Sequence, residues 1–217
     1  QVLDALGGDL AHQHPDHIAV TGDLTNLALP AEFVQGAAWL RGLGKPDEVG
    51  RFETIGPGTR VGAHAVIEGP TTLGEGNVVH PHAALGGPPQ DLKYAGEPTR
   101  LLIGDRNVFR EFMTAHRGTV TGHYETVIGD DNLFMAYSHV AHDCVVGSRC
   151  VFANSASLSG HVVVEDDVVL GGFVPVKQFL RIGRFAYVGG MTPVNKDVLP
   201  FTWTSSDRDT KAYKING

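Results

Sequence analysis

A hydrophobic residue recurs at every sixth position through most of the chain after residue 50. Glycine often follows it, as in Ile55-Gly56 and Val61-Gly62. A period of six does not fit the 3.6-residue turn of an α-helix, and a short fixed period is typical of solenoid proteins. We therefore predict a parallel β-helix of hexapeptide repeats. The hydrophobic positions are Ile55, Val61, Ile67, Leu73, Val79, Leu85, Ile103, Phe109, Ile128, Phe134, Val140, Val146, Phe152, Leu158, Val164, Leu170, Val176, Ile182, Val188 and Val194.

Three repeats are expected to close one triangular coil of eighteen residues. Residues eighteen positions apart then lie above one another, so Val140, Leu158 and Val176 would form one inward column. The fifth position of a repeat also points inward and is often small, as at Ala83 and Ala156. Glycine at the second position suits a corner where a Cβ atom would clash or where φ is positive.

Composition narrows the classes of function. The chain has 217 residues and a net charge of −7, which disfavours binding to nucleic acids. It contains no apolar run long enough to span a membrane, and its first residues do not resemble a signal peptide. Cys144 and Cys150 occupy equivalent positions of adjacent repeats, so we expect both to be buried and unpaired. These features predict a cytoplasmic protein without a transmembrane segment.

Residues 1–50 do not share the repeat. A strand is predicted around Val20, and a helix is predicted from Ala31 to Leu43, so this part has an α/β pattern. The run Val20-Thr21-Gly22-Asp23 resembles a metal-binding motif of the calcineurin-like metallophosphoesterases, which would make Asp23 a metal ligand. The further motifs of that family are missing, and one aspartate does not hold a dinuclear centre. We therefore predict a non-catalytic α/β segment of foreign appearance over 1–50, followed by the β-helix domain over 51–217.

Two polar segments interrupt the repeat. One lies between Leu85 and Ile103, which are eighteen residues apart, and it is rich in proline and glycine. The other follows His116, where Ile103 and Ile128 are twenty-five residues apart, one more than four repeats. Loops on a rigid scaffold often carry binding residues, although such segments also occur as solvated insertions.

The segment from His139 to Cys144 contains the strongest local signal for chemistry. His142 occupies an outward position, and the eighteen-residue coil places Gly160 and then Gln178 above it. The spacing between neighbouring coils would be ~4.8 Å. Histidine acts as a general base near neutral pH, and a glycine exposes a backbone N–H that stabilises an oxyanion. Asp143 is adjacent and would orient the imidazole.

Several segments within residues 51–217 resemble the UDP-N-acetylglucosamine O-acyltransferase family of lipid A biosynthesis. The resemblance implies a left-handed parallel β-helix that assembles as a homotrimer, with active sites in clefts between subunits. It also implies transfer of a 3-hydroxyacyl chain from acyl carrier protein to the 3-hydroxyl of UDP-N-acetylglucosamine, without a metal or a cofactor. The matching segments are 90–100, His116-Arg117-Gly118-Thr119, 139–144 and Ser159-Gly160-His161, with weaker support from Gln178-Phe179, Val188-Gly189-Gly190 and Lys196-Asp197-Val198.

The resemblance also implies roles for individual residues. His142 would be the general base, Asp143 would support it, and the Gly160 N–H would hold the thioester oxyanion. Gly190 would lie at the end of the acyl chain and leave room for a long one. The remaining implied substrate-binding residues are Gln90, Asp91, Lys93, His139, His161, Gln178 and Asn216.

Departures from the family pattern leave alternatives open. Lys177 stands where the best-known members have histidine, and the family's first coils and C-terminal helical domain are not matched. One alternative is therefore a truncated or chimeric scaffold with weak activity. Another is a zinc enzyme of the γ-carbonic anhydrase type that uses His116, His139 and His142. That family's paired histidines are five residues apart, whereas His139 and His142 are three apart, so the acyltransferase is favoured.

The acidic acyl carrier protein would need a local basic patch on a chain that is acidic overall. Arginines within the repeat are candidates for such a patch, although arginines are also common as ordinary exposed residues at corners. The candidates are Arg106, Arg110, Arg117, Arg149, Arg181 and Arg184.

Overall fold

Short strands separated by tight turns make up the part of the chain that the computed structural model describes, which is residues 53–206 and 211–215. The predicted α/β segment, Asp23 and Asn216 lie outside these residues. The strands are β1 (Thr54–Ile55), β2 (Arg60–Val61), β3 (Val66–Ile67), β4 (Thr71–Leu73), β5 (Val78–Val79), β6 (Ala84–Gly87), β7 (Arg100–Ile103), β8 (Val108–Phe109), β9 (Thr114–His116), β10 (Glu125–Ile128), β11 (Leu133–Phe134), β12 (His139–Val140), β13 (Val145–Val146), β14 (Val151–Phe152), β15 (Ser157–Leu158), β16 (Val163–Val164), β17 (Val169–Leu170), β18 (Pro175–Val176), β19 (Arg181–Ile182), β20 (Tyr187–Val188), β21 (Thr202–Ser205) and β22 (Lys211–Ile215).

The strands form three sheets, one for each side of the coil. Sheet A has the order β1-β4-β7-β10-β13-β16-β19, and sheet B has the order β2-β5-β8-β11-β14-β17-β20-β21-β22. Sheet C has the order β18-β15-β12-β9-β6-β3. All pairs are parallel except β21 with β22. This topology confirms the predicted left-handed parallel β-helix.

The predicted eighteen-residue register is confirmed over most of the helix. Val140 pairs with Leu158, Leu158 pairs with Val176, and Val176 forms a bridge to Val194. The first-position residues of this column are buried, as are Cys144 and Cys150, which are both free thiols. No helix within the described residues is long and apolar enough to cross a membrane.

Two coils are longer than eighteen residues, and both extra segments leave the helix at the same place. Leu73 pairs with Ile103, thirty residues later, and Ile103 pairs with Ile128, twenty-five residues later. The extra residues form the first loop (residues 88–99) and the second loop (residues 117–124). Each loop connects a strand of sheet C to a strand of sheet A, so both emerge from the edge where these sheets meet, here called the C–A edge.

Glycine at the second position is required by close packing between coils. A Cβ atom on Gly74 would lie 2.7 Å from the carbonyl oxygen of Gly104, and one on Gly56 would lie 2.5 Å from the same atom of Gly74. Neither glycine has a positive φ. The left-handed backbone occurs mostly at the fourth position of the repeat, at residues such as Tyr137 (φ 62°) and Phe173 (φ 56°). Close packing is therefore the reason for Gly56 and Gly74, whereas Gly86, which follows Leu85, has a φ of 82° and also fits the second predicted reason.

A ladder of buried asparagines joins the coils at the corner between sheets A and B. The backbone N–H and Nδ2 of Asn132 both donate to Asn107 Oδ1, at 3.0 and 2.9 Å. Asn107 donates in the same way to Asn77 Oδ1, at 2.9 and 3.1 Å. The three side chains are fully or almost fully buried, so each bond satisfies a polar group that has no access to water.

The substitution Asn107→Ala is expected to lower the free energy of unfolding by about 2–4 kcal/mol, because the buried N–H and Nδ2 groups of Asn132 lose their acceptor. Urea denaturation followed by circular dichroism measures this change. Asn154→Ala removes an exposed asparagine and is the matched control, with an expected change below about 0.5 kcal/mol. Equal changes for the two variants would show that the ladder does not stabilise the fold.

Candidate active site

The predicted stacking of His142 and Gly160 is present in the structure. His142 follows β12 at the C–A edge, and the pairing of Val140 with Leu158 places Gly160 on the next coil. A Cβ atom on Gly160 would lie 2.5 Å from His142 Cε1, so the imidazole rests directly against the glycine backbone. Gln178 occupies the corresponding position one coil further on and is exposed.

A buried carboxylate fixes the orientation of the His142 ring. The side chain of Asp143 has no exposed surface, and its Oδ2 lies 2.8 Å from His142 Nδ1. An ionised carboxylate only accepts hydrogen bonds, so Nδ1 of the imidazole is the donor. In the neutral ring the lone pair is then on Nε2, which is the tautomer that a general base requires.

The second loop supplies the other hydrogen bonds to Asp143. The Thr119 N–H lies 3.0 and 3.1 Å from the two carboxylate oxygens, and the Thr119 hydroxyl donates to Oδ2 at 2.7 Å. The His123 N–H donates to Oδ1 at 2.9 Å. Burial by itself would raise the pKa of Asp143, but these bonds, together with that from His142, lower it. Asp143 is therefore held as a carboxylate.

Four histidines form two pairs of neighbouring rings in this part of the β-helix. The rings of His116 and His139 are 4.9 Å apart, and those of His142 and His161 are 5.1 Å apart. Burial, helped by the neighbouring histidines, lowers the pKa of His116 to about 4, and burial also lowers the pKa of His139 and His161. His161 is stacked on the exposed ring of Phe179 at 4.5 Å.

The first loop brings Asp91 towards the same histidines. Asp91 Oδ1 accepts a hydrogen bond from the Lys93 N–H at 3.0 Å. Its negative charge acts to raise the pKa of His161, against the stronger effect of burial. Gln90 and Lys93 are exposed. A shallow cleft separates the two loops and is lined by Asp91, Lys93, Tyr94, Glu97, Thr119, Val120 and Thr121.

Arg117 connects the first loop to the body of the β-helix. Its Nη2 donates to the Tyr94 hydroxyl at 3.0 Å, and its Nη1 donates to the carbonyl oxygen of Gly69. The Tyr94 hydroxyl donates in turn to the carbonyl oxygen of Glu97 at 2.9 Å. The positions of Asp91 and Lys93 therefore depend on an arginine that the sequence did not single out as a site residue.

Two predicted site residues do not join this group within one chain. Gly190 lies where sheets B and C meet, here called the B–C edge, whereas His142 lies at the C–A edge. Asn216 lies outside the described residues. The sequence analysis assigned no role to Thr119 or Phe179, although Thr119 ends the His116–Thr119 motif and Phe179 belongs to the weaker match Gln178-Phe179. It also gave no signal for Thr126, whose hydroxyl accepts a hydrogen bond from the Asp143 N–H at 2.8 Å.

Within one chain, the histidines proposed for the zinc alternative are not arranged as a ligand set. Within residues 53–206, one group of histidine, cysteine and acidic side chains has ligand atoms within 4.8 Å of one another, and it consists of His142, Asp143 and His161. His116 and His139 do not belong to it. In this group the Asp143 Oδ2 and the His142 Nδ1 are already bonded to each other.

Five of the six arginines proposed for a basic patch have acidic neighbours in the same chain. The sixth, Arg117, is held by the contacts described above. This arrangement favours the interpretation that these five are ordinary exposed residues at the corners rather than a basic patch for a partner. The pairs are Arg106 with Asp131, Arg110 with Glu111, Arg149 with Asp167, Arg181 with Glu165, and Arg184 with Glu165.

Comparison with known proteins shows that the chain is similar to transferases built from hexapeptide repeats. Residues 125–160 match a family model described as bacterial transferase hexapeptide (six repeats). A relative from Verminephrobacter eiseniae, an acyl-[acyl-carrier-protein]–UDP-N-acetylglucosamine O-acyltransferase, is 55% identical over 136 residues, which are 63% of this chain and 52% of the relative. The chain therefore spans about half the length of that relative.

Solved structures agree with this match over a larger share of the chain. LpxA from Acinetobacter baumannii is 41% identical with a TM-score of 0.74, over 76% of this chain and 63% of that protein. The Arabidopsis UDP-N-acetylglucosamine acyltransferase is 32% identical with a TM-score of 0.59, over 76% of this chain and 70% of that protein. With this identity over more than two thirds of a solved relative, the chain belongs to the UDP-N-acetylglucosamine acyltransferase family.

Proposed function

We propose that this chain is an acyltransferase that moves a 3-hydroxyacyl chain from acyl carrier protein to the 3-hydroxyl of UDP-N-acetylglucosamine, the first step of lipid A biosynthesis. The observation that carries the proposal is the His142 imidazole, bonded through Nδ1 to buried Asp143 and resting against the backbone of Gly160. The two free, buried cysteines are consistent with a reducing cytoplasm as its location.

The reaction begins with removal of a proton from the sugar. Because Asp143 holds the Nδ1 proton of His142, Nε2 is the basic nitrogen, and it takes the proton of the 3-hydroxyl as that oxygen attacks. The imidazolium that forms is stabilised by the carboxylate at 2.8 Å. The buried neighbours His116 and His139 resist protonation, so they do not add positive charge that would oppose this step.

The sugar oxygen forms a bond to the thioester carbonyl carbon, and the carbonyl oxygen becomes an oxyanion. We assign the Gly160 N–H as the donor to this oxyanion, and the assignment is supported by the lack of any hydrogen bond from this N–H among the described residues. When the tetrahedral intermediate collapses, the carbon–sulfur bond breaks and His142 returns the proton to the departing sulfur. These groups handle every proton and charge in the reaction, so the proposal requires no metal and no cofactor.

Substrate binding is assigned to the side chains around this centre. Asp91 at the mouth of the cleft would accept a hydrogen bond from the sugar, and Gln90 and Lys93 would flank the paths of sugar and acyl donor. Lys93 is exposed and carries the positive charge that a diphosphate needs. His139, His161 and Gln178 would contact the substrates along the C–A edge.

We further propose that the active unit is a homotrimer, in which Gly190 of one copy approaches His142 of the next. An apolar stripe follows the B–C edge beside Gly190, and it includes Phe173 and Met191, which are 63% and 74% exposed. Ser155 interrupts this stripe between Tyr137 and Phe173, but exposed apolar surface of this kind is typical of a surface that is covered on assembly. In earlier coils the stripe continues as the stacked rings of His64, His82, Phe112 and Tyr137, with centroids 5.0–5.1 Å apart.

Light scattering after size-exclusion chromatography is expected to give about three times the chain mass of 23.1 kDa. Phe173→Glu places a charge in the stripe, and we expect it to shift the protein to a monomer and to abolish acyl transfer together with assembly. Phe185→Glu makes the same change at the corner between sheets A and B and should leave the trimer intact. A fully active monomer would contradict the proposed cleft between subunits.

His142→Ala is expected to reduce acyl transfer at least ~100-fold, because the sugar hydroxyl loses its base. Formation of acylated UDP-N-acetylglucosamine from 3-hydroxyacyl-acyl carrier protein measures the rate. His80→Ala, a histidine substitution at the end of β5, is the matched control and should retain the rate. Near-normal turnover by His142→Ala would refute the role of the base, and an inactive wild-type chain would favour the alternative of an inert scaffold.

A further inference from the structure

We propose that Thr119 is a positioning residue for the acyl transfer, and that it acts on the base His142 through Asp143. This inference rests on the proposed function. Thr119 belongs to the second loop and is 3% exposed. Its hydroxyl donates to Asp143, so its contribution would come from holding the carboxylate that holds the imidazole.

The Thr119 hydroxyl and the His142 ring meet on one oxygen atom. Thr119 Oγ1 lies 2.7 Å from Asp143 Oδ2, and His142 Nδ1 lies 2.8 Å from the same oxygen. The Thr119 N–H adds contacts to both carboxylate oxygens, and the His123 N–H binds Oδ1. Together with His142, these donors fill about all of the hydrogen-bond acceptor positions that a carboxylate has.

The carboxylate of Asp143 needs this support because it rotates easily about the terminal bond of its side chain. Rotation about the terminal bond of an aspartate side chain is broad and has no sharply preferred angle. Backbone N–H groups contact both oxygens, and the Thr119 hydroxyl adds the shortest contact, at 2.7 Å, to Oδ2, the oxygen that faces His142. The loop is packed tightly here, since a Cβ atom on Gly122 would lie 2.2 Å from Asp143 Oδ1.

A second contact keeps the hydroxyl itself in place. Thr121 Oγ1 lies 3.1 Å from Thr119 Oγ1, and a hydroxyl accepts while it donates. Because Asp143 accepts only, the Thr119 proton points to Asp143 and Thr121 becomes the donor to Thr119. The Thr121 hydroxyl then donates to Thr119, and the Thr119 hydroxyl donates to Asp143. His142 donates to the same carboxylate from the other side.

Kinetics separates this role from a purely structural one. We expect Thr119→Val to lower kcat about tenfold while KM for UDP-N-acetylglucosamine stays within about twofold, because the base is misoriented and the sugar site is unchanged. Thr119→Ser keeps the hydroxyl and should restore at least half of kcat. Thr72→Val, an exposed threonine in β4, controls for the loss of a hydroxyl elsewhere.

A double-mutant cycle tests whether Thr119 acts through Asp143. In an Asp143→Asn background we expect Thr119→Val to change kcat by less than about twofold, because its target is already lost. The same tenfold loss in both backgrounds would overturn the proposal. Failure of Thr119→Ser to restore kcat would also overturn it.

A spectroscopic measurement keeps this test independent of the proposed function. Nitrogen-15 NMR of the imidazole in the full chain should show the His142 proton on Nδ1 in the wild type and in Thr119→Ser, and a mixture of tautomers in Thr119→Val. An unchanged tautomer in Thr119→Val would overturn the positioning role even if the enzyme is active. A wild-type chain that shows the expected tautomers but transfers no acyl group would refute only the proposed function.

Discussion

Parallel pairing between coils at a fixed register is the interaction on which the rest of this structure depends. Each step of eighteen residues returns the chain to the same side, so like positions stack on like positions. Inward columns of aliphatic residues and the buried asparagine ladder stabilise the stack. The same register also stacks the outward-facing residues in columns. His142 contacts Gly160 because the two residues are eighteen positions apart in one such column.

The two long coils add the remaining parts of the site at one edge. Both loops emerge where sheets C and A meet, and the second loop closes over Asp143 with donors from Thr119 and His123. Burial at this edge explains the lowered pKa values of His116, His139 and His161. A rigid scaffold thus holds a carboxylate and a ring in fixed relation, while the loops provide the polar surroundings.

Features that follow from periodicity could be predicted from the sequence. The inward column at Leu158, the burial of Cys144 and the contact of His142 with Gly160 all follow from counting in sixes. Features set by the loops could not, because Thr119 lies in the second loop, where the six-residue pattern is interrupted, so counting in sixes does not place it against Asp143. The spacing of eighteen from Leu85 to Ile103 also does not reveal that Ile103 pairs with Leu73.

The Gly160→Ala variant tests the central claim, which is that a bare backbone lies against the catalytic imidazole. The added Cβ would approach His142 Cε1 to 2.5 Å, so the ring or the coil must move. We expect acyl transfer to fall at least ~100-fold with little change in thermal stability. Gly129→Ala, which would crowd the neighbouring coil at the corner between sheets A and B (2.7 Å to Gly147 O), should keep the turnover of the folded protein. A Gly160→Ala variant with wild-type turnover would contradict the account.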